Sequence, residues 1–560
     1  MREEGPRLGL HLNPAKSTIT GHGLTQELLE RQGLGDLVLM MEGSHPAAVV
    51  LGHPMGPPPF VERMMASVLM KLRAYHKALA HVHDPQVELY LMRGSLGVCR
   101  VTHLIRGVPG RCLMTGLDDV DQLLRTTLER ILGTALGNEA WAQTSLPLRL
   151  GGLGLTHSKQ VAGAAFTASA LGFAARAPEL GLPPLAAHPT VDLQEAVASL
   201  PNRGAVVCGL RDTVAASKPL EVDAKLISQR FLSEVIHRQT LEGIQMQASA
   251  RNLARLHELR APTASAWLTP PPAKALGLTF EPGEFRALLK YRLGVALLPE
   301  PVACPRCGEV MDVYGDHALC CTRSSFVTRH QFLADALARV AAFSGSHVQR
   351  EVAVAGRLRP ADLLISGWGP RPVAIDVTLR HSLAEFDTLG SRLERAALSK
   401  HVKYDAPCRQ AGLDFQVFAL STLGSAEDEA TEILKMIKAK LIERYGKRDG
   451  REFGQQAVER LGVAAMRGVG ASLIDLMGSS AAGEETSPDS LVRPSAPSTE
   501  KEYEVWAEEH GFQPAPPTSV PGSLGIRILA TTPVSAGEAE AKRRLFWEDP
   551  ALGARVWVRD

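Results

Sequence analysis

The chain has 560 residues, with 61 Lys+Arg against 60 Asp+Glu, 45% hydrophobic, 22% charged and 5% aromatic residues. These values exclude collagen, a coiled coil and a wholly disordered chain, and no net charge announces a nucleic-acid or membrane partner by itself. The length predicts about three or four domains, and the alternation of helical and strand patterns predicts a multidomain α+β fold.

The first ten residues, MREEGPRLGL, carry two acids and no apolar core, which excludes a secretory signal at this position. Residues 1–185 are mostly helical in pattern, with apolar residues at three- and four-residue steps over 60–82 and 119–136. Breaks rich in Pro and Gly at 52–60 and 146–155 separate the helices. The uncharged run at 160–175, QVAGAAFTASALGFAA, is built from Ala and Gly and falls short of the ~20 residues of a membrane span. An intracellular, soluble chain without a membrane partner is expected. Residues 186–300 form a helical connector, with a helix over 225–260 and a Pro-rich joint at 268–277.

Eight cysteines in a chain of this length are too few for a disulfide scaffold. Four of them (Cys304, Cys307, Cys320 and Cys321) fall within 18 residues, beside His317. Cys304-Pro-Arg-Cys307 sets two thiolates on one tight turn, and His317 with Cys321 completes a set suited to a structural, closed Zn²⁺ site over 301–322. Cys321 is the preferred fourth ligand and Cys320 the alternative.

Residues 323–450 read as an αβ domain: helix 328–343, strands 347–354, 361–366 and 373–379, helix 382–410, strand 414–420 and a helix to 445. The first helix is expected to bury a face of Phe332, Leu333, Ala336, Leu337 and Val340, and Ser382-x-x-Glu385 is a capping box for the second. The strands at 361 and 373 are near-continuous apolar runs, each interrupted by one acid, Asp362 and Asp376. Gly369 lies seven residues from both, so a hairpin would set them opposite each other. Opposed like charges destabilise a bare sheet, and a divalent cation between them removes the conflict. Glu351 is a candidate third oxygen ligand or water-orienting group, and Lys400 and Lys403, three apart, share a helix face. The segment 321–450 holds 19 Lys+Arg against 15 Asp+Glu, so any DNA-binding surface must come from local clustering. A final helix over 451–477 precedes a Ser-, Pro-, Gly- and Glu-rich tail, 478–560, expected to be mostly disordered.

CPRCG…GDHALCC, TRHQFLADAL, QREV, RPADLLI…RPVAIDVTL, SKHVKYDAPCRQAGLDF and FGQQAVERLGVAAMRG, spanning roughly 300–475, resemble the C-terminal end of non-LTR retrotransposon polyproteins. That class carries a Cys-Cys-His-Cys knuckle followed by a restriction-like endonuclease of the PD-(D/E)xK type, whose αβββαβ core matches the order read above. The resemblance implies that Asp362 and Asp376 bind Mg²⁺ or Mn²⁺ and that Lys400 or Lys403 replaces the lysine of the D-x-K position, which here is Thr378. The first acid stands in Arg359-Pro360-Ala361-Asp362, one residue longer than a plain Pro-Asp. LGLHLNPAKS at 8–17, VVLGHPMG at 49–56 and SLPLRLGGLGL at 145–155 resemble the end of a reverse-transcriptase palm and its thumb, which makes 1–185 thumb-like. The polymerase's aromatic-x-Asp-Asp motif would precede residue 1, and the one Asp-Asp pair, Asp118-Asp119, lies in a helical pattern downstream. Polymerisation by this chain alone is therefore not expected.

By resemblance, the expected function is metal-dependent nicking of target DNA for target-primed reverse transcription. Lys16, Arg306 and Arg359 are the candidate nucleic-acid contacts, element RNA is a second partner, no small-molecule cofactor is needed, and the nucleus is the place of action. The alternative is an inactive nucleic-acid-binding remnant. An active reverse transcriptase would require an upstream partner chain.

Overall fold

A computed structural model describes residues 7, 13–14, 17–177, 179, 181, 190–216, 227–321, 323, 326–350, 361–383, 391–478, 545–549 and 554–558. The fold is α+β, helix-dominated, with small sheets. Met1–Thr269 and Glu281–Gly483 form one compact unit, and Pro270–Phe280 with Glu484–Asp560 form a second.

The first unit begins with helix α1 (Gln26–Arg31) and a hairpin of β1 (Ala48–Val50) and β2 (His53–Met55). Helices α2 (Pro58–Leu79), α3 (Pro85–Gly94), α4 (Thr102–Gly107), α5 (Met114–Leu132), α6 (Asn138–Ser145) and α7 (Ser158–Arg176) follow. The Pro-rich break preceding α2 supplies proline in its first turn, where no amide hydrogen is needed. Along α5, Leu117, Val120, Leu124, Leu128 and Ile131 make the buried stripe, and Gly133 ends the helix in the left-handed region at φ 67°. The uncharged run at 160–175 is the body of α7, whose small side chains let neighbouring helices approach closely. No helix among the described residues is long and apolar enough to cross a membrane.

Helices α8 (Val191–Ala198), α9 (Ala205–Ala215) and α10 (Gln229–Gln247) bury a shared core of Leu193, Val197, Leu210, Leu232 and Ile236. The helix expected over 225–260 is two helices. It breaks before α11 (Ala250–Glu258), because the Ser249 side chain accepts from the Asn252 amide and caps a new start.

Helix α12 (Pro282–Leu293) is buried on almost every side and carries the unit's least expected charge. The guanidinium of Arg292 is 1% exposed and donates to the carbonyls of Leu148, Gly152 and Ala264 and to Ser265 Oγ. Arg255, also buried, donates to the Arg292 carbonyl and to Gln143 Oε1. Burial pushes both arginines down to about 9, which still leaves them charged at neutral pH. The LPLRLGGLGL segment thus folds around a cation: a Cβ on Gly152 would lie 2.0 Å from the Leu146 carbonyl oxygen.

Beyond α12, a short hairpin of β3 (Val302–Ala303) and β4 (Val310–Met311) leads into α13 (Asp316–Cys320). Then come α14 (Phe326–Phe343), β5 (His347–Arg350), β6 (Leu363–Ser366), β7 (Val373–Arg380), α15 (Ser391–Gln410), β8 (Asp414–Ser421), α16 (Asp428–Tyr445) and α17 (Lys447–Met477). The sheet order is β8-β7-β6-β5, with β7 and β8 parallel and the other pairs antiparallel. A parallel pair needs a crossover, and α15 supplies it. Its Leu393, Ala397, Tyr404 and Cys408 pack on Ala374, Phe415, Val417 and Ala419. On α14 the buried face is Leu333, Ala334, Leu337, Val340 and Ala341, whereas Phe332, expected inside, is exposed. The face is turned by one residue because α17 lies against it: a Cβ on Gly468 would stand 2.8 Å from Arg329 Cα.

Glu385 of the capping box, with the rest of 384–390, lies outside the described residues; α15 is described from Ser391, and His381 and Leu383, just after β7, are buried. One boundary differs from expectation. The last helix starts at Lys447, earlier than 451. In the second unit, β9 (Leu545–Asp549) and β10 (Ala554–Val558) pair as an antiparallel hairpin within the tail expected to lack structure. The first strand carries Phe546 and Trp547 and the second Val556, Trp557 and Val558, aromatic and β-branched residues that suit a ladder.

Two outcomes are expected. Arg292→Met strips the donors from three buried carbonyls and should lower stability in urea by about 3 kcal/mol. His157, stacked on Trp141 at 4.0 Å, is pushed from its ordinary 6.5 to about 4 by burial, aided by Arg125 and His237. The unfolded imidazole therefore takes up a proton first as pH falls, and about 3 kcal/mol of stability present above pH 6.5 is lost on the way to pH 4. His157→Gln should flatten that slope in urea titrations across this range.

Candidate metal centre and candidate active site

The knuckle is assembled by backbone turns. The Cys304 amide donates to the Glu309 carbonyl at 2.7 Å, closing the tight turn that carries Cys304 and Cys307. The Asp312 carboxylate accepts from the amides of Tyr314, Asp316 and His317, which starts the single turn of α13 and aims His317 inward. One ligand atom from each of Cys304, Cys307, His317 and Cys321 lies within 4.8 Å of all the others. Cys304 Sγ and Cys321 Sγ are 3.9 Å apart, and Cys307 Sγ and His317 Nε2 are 3.3 Å apart. A tetrahedral zinc with Zn–S of about 2.3 Å has S···S edges of about 3.8 Å, so the donor set fits that ion. Burial raises the Cys304 thiol, but amide hydrogens of Cys307 and Arg306, with His317 and Cys307, outweigh it and bring it to about 6. Cys320 is exposed and Cys321 is buried in the cluster, which leaves Cys321 as the fourth member.

Asp316 ties this knuckle to its surroundings. Both its oxygens accept from Arg251, and Tyr291 Oη donates to Oδ1 at 3.3 Å. The Tyr291 hydroxyl in turn lies 3.4 Å from Nδ1 of buried His381, the residue that follows β7. The knuckle is thereby linked through one buried tyrosine to the strand that carries Asp376.

The hairpin register pairs Leu363 with Ile375, Leu364 with Ala374 and Ile365 with Val373. That register is symmetric about Gly369 but stops at Leu363: the Asp362 amide donates to the Ile375 carbonyl at 3.0 Å, and the Asp362 carboxylate lies close enough to Asp376 to act on its charge. Asp376 is 7% exposed in the middle of the sheet. Burial and the charge of Asp362 raise its carboxyl, while Lys400, whose Nζ is 2.8 Å from Oδ1, opposes them. Its Oδ2 is buried and has no hydrogen-bond partner among the described residues. A buried carboxylate oxygen without a donor is costly, and a cation satisfies it.

Lys400 and Lys403 separate here. Lys400 falls on the stripe 393, 397, 400, 404, 408 with which α15 packs on the sheet, so it reaches Asp376. Lys403 is turned outward and exposed, with Nζ 4.8 Å from the centre of the Tyr404 ring. His401, the next residue after Lys400, clamps α15 from the other side: its Nε2 is 2.9 Å from Glu429 and its Nδ1 2.9 Å from Asp405.

The site contains a residue that the sequence reading did not single out. His330 Nε2, from the first turns of α14, lies 3.0 Å from Asp362 Oδ2, which also accepts from the Val377 amide at 2.7 Å. The hydrogen bond to Asp362 raises the His330 pKa against the effect of burial. The available signal was spacing: His330 precedes Leu333, Leu337 and Val340 on the buried stripe, where a polar residue is out of pattern.

Thr378, at the D-x-K position, is buried in β7. Arg306 is paired with Asp475 of α17 at 2.6 Å. Glu351, Arg359 and Lys16 lie outside the described residues. Asp118 and Asp119 are surface residues of α5 in ion pairs with Lys159 and Arg73, which suits the reading that they are no polymerase pair.

The zinc assignment predicts one zinc per chain by elemental analysis. Cys321→Ser should lose it, and Cys320→Ser should retain it.

No protein-family model matches the chain, nor does any curated protein.

Proposed function

We propose that the chain is a metal-dependent DNA endonuclease of the restriction-like PD-(D/E)xK type, with a zinc knuckle that braces it and binds nucleic acid. The observation that carries this reading is the buried Asp376, close to Asp362 and bonded to Lys400, with one oxygen left unpartnered among the described residues. A purely structural acid in a sheet would have all its lone pairs occupied.

Asp362 and Asp376 are the residues that would hold Mg²⁺ or Mn²⁺, and the ion would supply Lewis-acid polarisation of a phosphodiester and a more acidic water. Lys400 opposes the upward push of burial on the Asp376 carboxyl and sets an ammonium where negative charge develops on the phosphate. Hydrolysis adds the water oxygen to phosphorus as the P–O3′ bond breaks, leaving a 5′-phosphate and a 3′-hydroxyl able to prime synthesis. Thr378 has no charge to contribute, so the lysine's work falls to the helix. For the knuckle, Arg306 would exchange Asp475 for a phosphate on binding.

A supercoiled-plasmid nicking assay on the full chain, with Mg²⁺, Mn²⁺ or EDTA, tests the reading. Nicking should require the divalent ion and fall at least about 100-fold in Asp376→Ala and Lys400→Ala, a loss typical of removing one transition-state contact. Lys403→Ala should stay near the parent, and DNA binding should persist in all three. Metal-independent retention of DNA without nicking would instead identify a nucleic-acid-binding protein.

A further inference from the structure

Lone pairs at the two carboxylates can be counted atom by atom. Asp362 Oδ2 has two, and both are directed at fixed partners: the Val377 amide at 2.7 Å and His330 Nε2 at 3.0 Å. That oxygen is saturated, which leaves Oδ1 as the atom Asp362 can offer. Asp376 is the mirror case, with Oδ1 bonded to Lys400 at 2.8 Å and Oδ2 unpartnered. Each acid is thus turned so that one oxygen is held by protein and the other is presented. The holders come from two different helices, α14 and α15, and from the sheet itself.

We infer that His330 is a positioning residue which, with the Val377 amide, fixes Asp362 to present a single oxygen, so that the pair holds one divalent cation and not two. This rests on the reading of the Asp pair as a cation site. Two ions bridged through the two oxygens of one carboxylate need both available, and the His330 and Val377 bonds occupy one at Asp362 as Lys400 occupies one at Asp376. His330 acts through Asp362 and does not itself touch the cation or the phosphate. The bond also explains why a half-buried polar side chain sits at the head of the apolar stripe of α14: a leucine there would leave Asp362 free to rotate and to offer either oxygen.

The test is Mn²⁺ binding to the full, zinc-loaded chain without DNA, counted by the EPR signal of free Mn²⁺. The parent should bind one Mn²⁺, lost in Asp376→Asn. His330→Ala should weaken binding about 10- to 100-fold, the range for removing a group that orients a metal ligand. His330→Gln keeps an N–H donor and should recover most of that loss; circular dichroism and zinc content confirm that each variant is folded. Unchanged affinity in His330→Ala would overturn the role of His330, as would equal loss in the Ala and Gln variants. Two Mn²⁺ ions, both lost in Asp376→Asn, would overturn the single-ion site. No Mn²⁺ bound by the parent would overturn the reading of the Asp pair, and this inference with it.

Discussion

Two carboxylates held close together where the β6–β7 ladder ends, one of them buried, repel by an amount a small sheet does not tolerate unaided. The arrangement around the sheet can be understood as the management of that repulsion. Helix α15 crosses over the sheet to join the parallel pair β7 and β8, and in doing so it delivers Lys400 to one acid. Helix α14 delivers His330 to the other. The His401 clamp to Glu429 fixes the rotation of α15 from behind, and Glu429 also accepts from the Val417 amide in β8. A small rotation of α15 would exchange Lys400 for exposed neighbours and leave Asp376 with two unpaired oxygens.

The same economy of charge appears in the helical region. Among the described residues no carboxylate is bonded to Arg292 or Arg255; their donors end on carbonyls, two side-chain amide oxygens and a hydroxyl. Such a cation organises loops, since each carbonyl it holds fixes one peptide plane. Glycines around 151–154 permit the backbone to wrap that closely, and they account for the LGGLGL pattern without invoking a ligand. The knuckle is tied in by the same means, through Asp316, Arg251 and Tyr291.

Much of the sheet was legible because its signals are local. The run lengths around Gly369 set the hairpin register, and buried strands read as continuous apolar stretches with one acid each. The Cys3His cluster that could hold zinc was legible from spacing, and the exposure of Cys320 against the burial of Cys321 decided between the adjacent cysteines. Other features depend on tertiary context. Lys400 and Lys403 share a helix face in the sequence, and only the rotation of α15 on the sheet distinguishes them. His330 went unnoticed because its partner is 32 residues away, and a histidine on an apolar stripe carries no motif of its own. The buried arginines were invisible for a related reason: an arginine in a helix reads as surface unless the neighbouring loops are known. The split between α10 and α11 turned on one side-chain cap at Ser249, too small a signal beside the surrounding periodicity.

Helix α17 bears on where this protein can be cut. One long helix packs against α14 and α16 beside the sheet, against α13 in the knuckle, and against α12 and the turn Ala266–Leu268 from the connector. Thr263 adds a second tie, donating to the Gly424 carbonyl and accepting from the Ala426 amide at the end of β8. A fragment beginning near residue 295 would expose to water the flank of α17 that Trp267 and Leu288 now cover, and it would strand the Gly424 loop without its hydroxyl. The smallest piece able to stand alone must therefore reach back through the connector, so the sheet that carries Asp376 and the helices ahead of the knuckle make one folding piece.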